Sequence, residues 1–350
     1  MEKHCATCEL AILKTSKQWK NQKYCSNKCR KIYHRKRTSI ANRVEQKKSN
    51  LLQNEEMLYL IRQCKKAKTV EVLHGHTLET FIETMNLIRH RPPGDVNLCH
   101  ISPVKGKTSI GLMHCHNLFY GGAYQNKKLS NTYLSGGLSI ERKKLKKRWE
   151  VAPSMSNNEV LVLIEQFLSD IMPDYLRIAP VRKSKKVSLA LKIVETNPSK
   201  SFDVLIHWSY KKLQEEWKAT SGQPCFVFDP STESKYITYV DEMTRFISYG
   251  GERTKLLKQL RKLLVIGYLA LDRVKKSNTY NKFFYVKHEP LIDIKYGQAM
   301  LKNPHHWSEF KDLMYDTAFY VMQGGQIKIA HFKKKMMGYL KFPKRAKTIF

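Results

Sequence analysis

Four cysteines stand in two close pairs near the start of the chain, Cys5-x2-Cys8 and Cys25-x3-Cys29, with 16 residues between the pairs. Paired thiolates at this spacing suit one tetrahedral Zn²⁺. Each pair forms a tight knuckle and the intervening loop closes on the metal. Zinc held this way folds a module and does no chemistry itself. His4 and His34 are nearby substitutes that four cysteines make unnecessary. A second concentration of reactive residue types begins at Leu98-Cys99-His100-Ile101-Ser102-Pro103. It continues through Gly111-Leu112-Met113-His114-Cys115-His116-Asn117-Leu118 and ends at Gly121-Gly122-Ala123-Tyr124-Gln125-Asn126-Lys127-Lys128. Singly, a histidine before Ile-x-Pro is an ordinary core or surface residue, and an asparagine in a loop is an ordinary turn residue. Their joint order is less ordinary: Asn117 follows His100 by 17 positions, and Asn126 follows Asn117 by nine. A zinc site made of Cys99, His100, His114, Cys115 and His116 is the alternative, and it leaves the asparagine spacing unexplained.

The joint pattern resembles the HNH branch of the ββα-metal endonucleases, over about forty residues. In that family a histidine ends the first strand, Asn-Leu opens the second, and a short helix carries a histidine or asparagine followed by Lys or Arg. The resemblance implies phosphodiester hydrolysis. His100 would be the general base that takes a proton from water, a task suited to a near-neutral pKa. Asn117 would hydrogen-bond across the loop and orient His100. Asn126 would supply a ligand to one Mg²⁺ (or Mn²⁺), a Lewis acid for the scissile phosphate and leaving oxygen. Lys127 and Lys128 would touch the DNA backbone. One position departs from the family: Cys99 stands where Asp, Glu or His often adds a metal ligand, and a thiol suits zinc better than Mg²⁺. Either Asn126 is the main protein ligand, or Asp95, His114 or His116 completes the shell. His114 is the best of these, because it lies in a Gly-Leu-x-His-x-x-Asn-Leu arrangement familiar from phage members.

The cysteine segment resembles small bacterial and phage zinc fingers of the treble-clef or ribbon type, in which the second pair opens a basic helix. Arg30, Lys31, Arg35, Lys36 and Arg37 would then grip phosphates.

The 350 residues carry a formal net charge of +33, from 63 Lys+Arg against 30 Asp+Glu. Such an excess points to a polyanion, and nucleic acid is the natural one. Double-stranded DNA is favoured by the resemblance. Cutting both strands would need two events or a homodimer. No apolar run approaches the ~20 residues of a spanning helix, and the start lacks an apolar signal region. A cytoplasmic, reducing location is expected, with the cysteines as ligands or buried thiols. The rival functions are a non-catalytic zinc-dependent DNA-binding regulator and an RNA-binding or RNA-cutting protein.

The elements that must position these groups give an α+β reading. It comprises a zinc finger at 1–40, a helical linker at 41–70, an HNH-like ββα core at 71–150, and a basic, mixed helical region at 151–350. One polar helix is expected over 41–70 and an amphipathic one over 77–90, stopped by Arg91-Pro92-Pro93-Gly94. Ser156 and Glu159 form a capping box for a helix over 157–172. Strand-like runs occur at Phe202–His207 and Cys225–Phe228. The basic helix Arg253–Leu264, followed by runs at Tyr268–Val274 and Phe283–Val286, is compatible with a winged-helix-like element and equally with a helix and hairpin in a mixed core.

Overall fold

Side-chain caps decide where the first helices start and stop. The computed structural model describes residues 3–12, 19–37, 40–92, 95–129, 132, 134, 136–222, 235–275, 288–292 and 299–342. Within them, α1 (Asn27–Arg37) and α2 (Ile40–Ser49) are followed by α3 (Glu55–Ala67). The single helix expected over 41–70 is therefore two. Asn54 is the cause, since its side chain accepts a hydrogen bond from the Met57 amide at 3.0 Å and opens α3 afresh. Thr77 and Thr80 cap α4 (Leu78–Arg89) reciprocally, and the helix ends ahead of Pro92.

Next come β1 (Val96–His100), β2 (Ser109–Gly111), β3 (Leu118–Gly122), α5 (Ala123–Leu129) and β4 (Ser139–Glu141). β1 and β3 pair antiparallel, with Val96 opposite Gly122 and His100 opposite Leu118; β2 pairs with β4. Side chains alternate across the β1–β3 pair, as the strand period of two requires. Val96, Leu118 and Tyr120 enter a core shared with α3 and α4, whereas Cys99 and Phe119 enter a second core among the C-terminal helices. The pair is thus a wall common to both.

The outer edge of β3 would expose unpaired backbone groups if nothing covered it. α11 (Lys235–Tyr249) supplies the partners from one face. Tyr239 Oη accepts from the Gly122 amide at 2.9 Å, Glu242 accepts from the Tyr120 amide at 3.1 Å, and Arg245 donates to the Leu118 carbonyl at 2.6 Å. Glu242 and Arg245 also pair at 2.5 Å, so each buried charge has its counterion.

Between these regions lie α6 (Asn157–Phe167), α7 (Met172–Ile178), α8 (Lys185–Thr196), α9 (Phe202–Leu205) and α10 (Tyr210–Ser221). The Ser156–Glu159 capping box is present, with bonds of 3.2 and 2.7 Å. The first core draws on Leu60 and Ile61 of α3 as well as Ile164 and Tyr175, so it crosses the boundaries expected at 70/71 and 150/151. The Phe202–His207 run is not a strand but α9 and the turn after it. Leu205 is buried in a small core built only of helices, where an extended segment would find no strand to pair with.

α12 (Thr254–Lys275) corrects the winged-helix-like reading, because Tyr268–Val274 forms its last turns instead of a strand. The short apolar run Tyr268–Leu271 fits an enclosed helix as well as a strand. Here Leu264, Val265, Leu269 and Ala270 are all buried against α13 (Trp307–Met322), α14 (Ile329–Tyr339) and their neighbours. The runs Cys225–Phe228 and Phe283–Val286 lie outside the described residues. A last short pair, β5 (Met300–Leu301) with β6 (Leu340–Lys341), gives a mixed α+β chain that is mostly helical. Among the described residues, no helix is long and apolar enough to cross a membrane.

Candidate functional site

The cysteine module closes locally. Cys5 sits at the head of a turn in which its amide donates to Leu10 O at 2.8 Å and its carbonyl accepts from Glu9 N at 2.9 Å. Cys29 lies in the first turn of α1, where Ser26 Oγ accepts from its amide at 3.2 Å. Across the module the Sγ atoms of Cys8, Cys25 and Cys29 lie 3.5, 3.5 and 3.7 Å apart, and all four sulfurs fall within 4.8 Å of one another. Tetrahedral Zn–S bonds of about 2.3 Å imply sulfur separations of about 3.8 Å, so the donor set fits zinc. A disulfide would bring two sulfurs to about 2 Å. The sulfurs of Cys8, Cys29 and Cys5 push the Cys25 thiol up to about 12, because crowded thiolates repel. A divalent ion would remove that penalty. Arg30, Lys31 and Arg35 are exposed on α1; the helix also includes Lys36 and Arg37.

The second site is assembled from separated parts. His100 ends β1, Asn117 closes the turn before β3, and Asn126 stands on α5. Asn117 is fully buried. Its Oδ1 accepts from the Ser102 amide at 2.9 Å, and its Nδ2 donates to Leu112 O at 2.7 Å and Ser102 O at 3.2 Å. One side chain thereby clamps both ends of the loop that follows His100. Two glycines permit the clamp: a Cβ on Gly111 would lie 1.6 Å from Ser102 O, and one on Gly137 would lie 2.3 Å from Asn117 Oδ1.

His100 and Asn126 line one cleft of about 560 Å³, together with Lys105 and Lys127. His100 is half-buried, but its Nε2 is enclosed and has no hydrogen-bond partner among the described residues. Burial, with a smaller contribution from the charge of Lys66, lowers its pKa to about 4. The ring is therefore neutral at pH 7, the form that accepts a proton. Cys99 is resolved by its position. It faces the C-terminal core at 2% exposure, and burial raises its pKa to about 12, so it offers the cleft no thiolate. Lys128 turns away from the cleft to Asp316 on α13, at 2.8 Å.

His114 does not join His100 and Asn126 in that cleft. Its ring stacks on His76 with centroids 4.6 Å apart, and its Nδ1 accepts from the His116 amide at 3.2 Å. His116 packs on Tyr249 at 4.3 Å. Burial lowers His76 to about 3 and His114 to about 4. The five-residue zinc alternative is accordingly split, with His100 in the cleft and His114 and His116 in this stack. Among the described residues, the four cysteines form the only group of His, Cys, Asp and Glu placed to hold a metal ion.

Sequence reasoning missed the far wall of the cleft. Tyr59, Gln63 and Lys66 of α3 line it. Their i, i+4, i+7 spacing was visible, since residues so spaced share a helix face. Nothing local showed that this face would look toward His100. The chain matches no protein-family profile, no curated protein and no solved structure.

Proposed function

We propose that the chain is a metal-dependent DNA endonuclease of the HNH type, with His100 as general base. The observation that carries this reading is the meeting of His100 and Asn126 in one basic cleft, with Asn117 clamping the loop behind them. Neutral His100 would take the proton from an attacking water. Lys127 and Lys105 would hold the phosphate by charge. Asn126 offers an amide oxygen, a hard donor that fits Mg²⁺ retaining most of its waters. A divalent ion bound there would supply Lewis-acid stabilisation to the phosphate and the leaving oxygen. The described residues lining the cleft include no carboxylate, so the negative charge that holds the ion would come mainly from the substrate. Zinc at Cys5, Cys8, Cys25 and Cys29 would be structural, with α1 as an added phosphate grip.

The carboxylate-free lining of the cleft also favours a second reading, a zinc-dependent DNA-binding protein that does not cut. Closed circular DNA with Mg²⁺ or Mn²⁺ separates the two. The endonuclease linearises or nicks the circles, and His100→Ala abolishes this while keeping the parental melting temperature. Intact circles with the parent protein under both metals would establish the non-cutting reading.

A further inference from the structure

The His100–Asn126 cleft is not a closed cavity but the middle of a longer depression. At one side it merges with a groove of about 980 Å³, the two sharing Tyr59, Gln63, Lys66, Leu98 and Asn126. That groove adds Arg62, Arg91, Arg182, Lys183 and Lys185. At the other side the cleft meets a third hollow through Lys66 and Lys105, where Lys65, Lys68 and Arg142 are added. Lys66 lines all three.

We infer that this depression is a track for a nucleic-acid backbone, running across α3 and open at both ends, with the His100–Asn126 cleft at its centre. The inference rests on the nuclease reading only in calling that centre a cutting site.

Charge supports the track. Two carboxylates, Glu55 and Glu56, border its first groove, and the buried one, Glu56, is already neutralised by an ion pair with Arg89. Arg182, Lys183, Lys185 and Lys66 make no ion pair among the described residues, so these cations have no carboxylate to leave before meeting phosphate. Geometry also holds the arginines in place. Asn54 Nδ2 donates to Arg182 O at 2.9 Å, and the Ser184 amide donates to Gln53 O at 2.7 Å, which pins the 182–184 segment beside the start of α3. Arg62 lies over the Tyr59 ring at 5.6 Å.

A polar side chain lies at the centre. Gln63 is 5% exposed and lines both the cleft and the adjoining groove. An amide offers both a donor and an acceptor, which suits a phosphate oxygen or a water on it. A track open at both ends also accommodates chain on each side of the cut, which an enzyme that bites only at ends does not require.

The test uses the zinc-loaded full chain without added Mg²⁺ or Mn²⁺, so that binding is read apart from cutting. The probes are a labelled DNA duplex long enough to overrun the cleft on both sides and its RNA counterpart. The variants are Arg62→Gln with Lys66→Gln, Arg182→Gln with Lys183→Gln, and Gln63→Leu. Each double variant is expected to bind DNA about tenfold more weakly, with the slope of log affinity against log salt falling by about 0.9 for each phosphate no longer neutralised. Gln63→Leu is expected to keep its melting temperature and lose affinity. Parental affinity and slope in all three overturns the track. Weakened binding together with a His100→Ala protein that still cuts circular DNA leaves the track standing and defeats the nuclease assignment. Tighter, equally variant-sensitive binding of the RNA duplex also supports the track, and transfers the proposed substrate from DNA to RNA.

Discussion

The cysteine module and the His100 cleft reach their geometry by opposite routes. In the first, every donor comes from the opening 29 residues, and two knuckles bring the sulfurs within 4.8 Å of one another. In the second, His100 and Asn126 lie on a strand end and a helix, the far wall comes from α3 before them, and residues 182–185 far after them line the adjoining groove. A metal stands in for a core where the segment is too short to bury one. The cleft instead depends on two extensive cores that meet at the β1–β3 wall. The difference teaches that the first site is a property of a motif and the second a property of the whole fold.

Removing zinc is the strongest way to break this comparison. Cys25→Ser, or chelation of the parent, should unfold the module at residues 3–37 and leave the body melting as before. Structural zinc contributes on the order of 10–16 kcal/mol in isolated fingers. Metal content and two-transition calorimetry check it, and one shared transition would show that the sites are not independent.

Asn117→Ala should act in the reverse sense. It leaves the Ser102 amide and the Leu112 carbonyl unpaired in a buried loop, at about 1–3 kcal/mol for each group. Denaturant midpoints should fall accordingly while zinc content stays at one per chain. Cleavage should fall further than stability, because the clamp holds the loop after His100.

Acid should distinguish the regions next. His76 is neutral in the fold, held near 3 mainly by burial and then by the proximity of His114. Its folded pKa is below the ordinary value of 6.5, so the unfolded chain binds the extra proton first. The stability it contributes is complete above pH 6.5 and is lost as pH falls from there toward 3, by about 1.4 kcal/mol per pH unit. Urea titrations from pH 7 to 4.5 should show the loss in the parent and a smaller one in His76→Gln. The neutral form of His100 likewise persists to about pH 4, so cleavage should not show an acid limb near 6.5.

The smallest effect is expected at Lys128. Its ion pair with Asp316 is exposed, and such pairs are screened by solvent. Lys128→Gln should leave the melting temperature unchanged and weaken DNA binding less than Lys127→Gln, since only Lys127 lines the cleft.

Legibility followed the same division. The clustering of the four cysteines could be read from spacing alone, because a knuckle is a local object. His100, Asn117 and Asn126 could be singled out by order and spacing, and the cap at Ser156 follows from residue type. What failed was non-local. The first four residues of Tyr268–Val274 are all apolar, and so short a run takes its form from what encloses it. The Phe202 run had the same ambiguity. Gln63 and Lys66 read as an ordinary polar face of α3, and only the packing of α3 beside β1 turns that face into a wall. Cys99 read as a misplaced ligand, and strand alternation sends it to the core instead.

The cover that α11 gives to β3 has a consequence for the order of events in the cell. A ribosome delivers His100, Asn117 and Asn126 long before Tyr239, Glu242 and Arg245, yet these three supply partners to the outer edge of the strand that forms the wall. Until they emerge, the nascent chain holds His100, Asn117 and Asn126 without the full frame. The wall beside them is expected to settle only after residues 239–245 have been made.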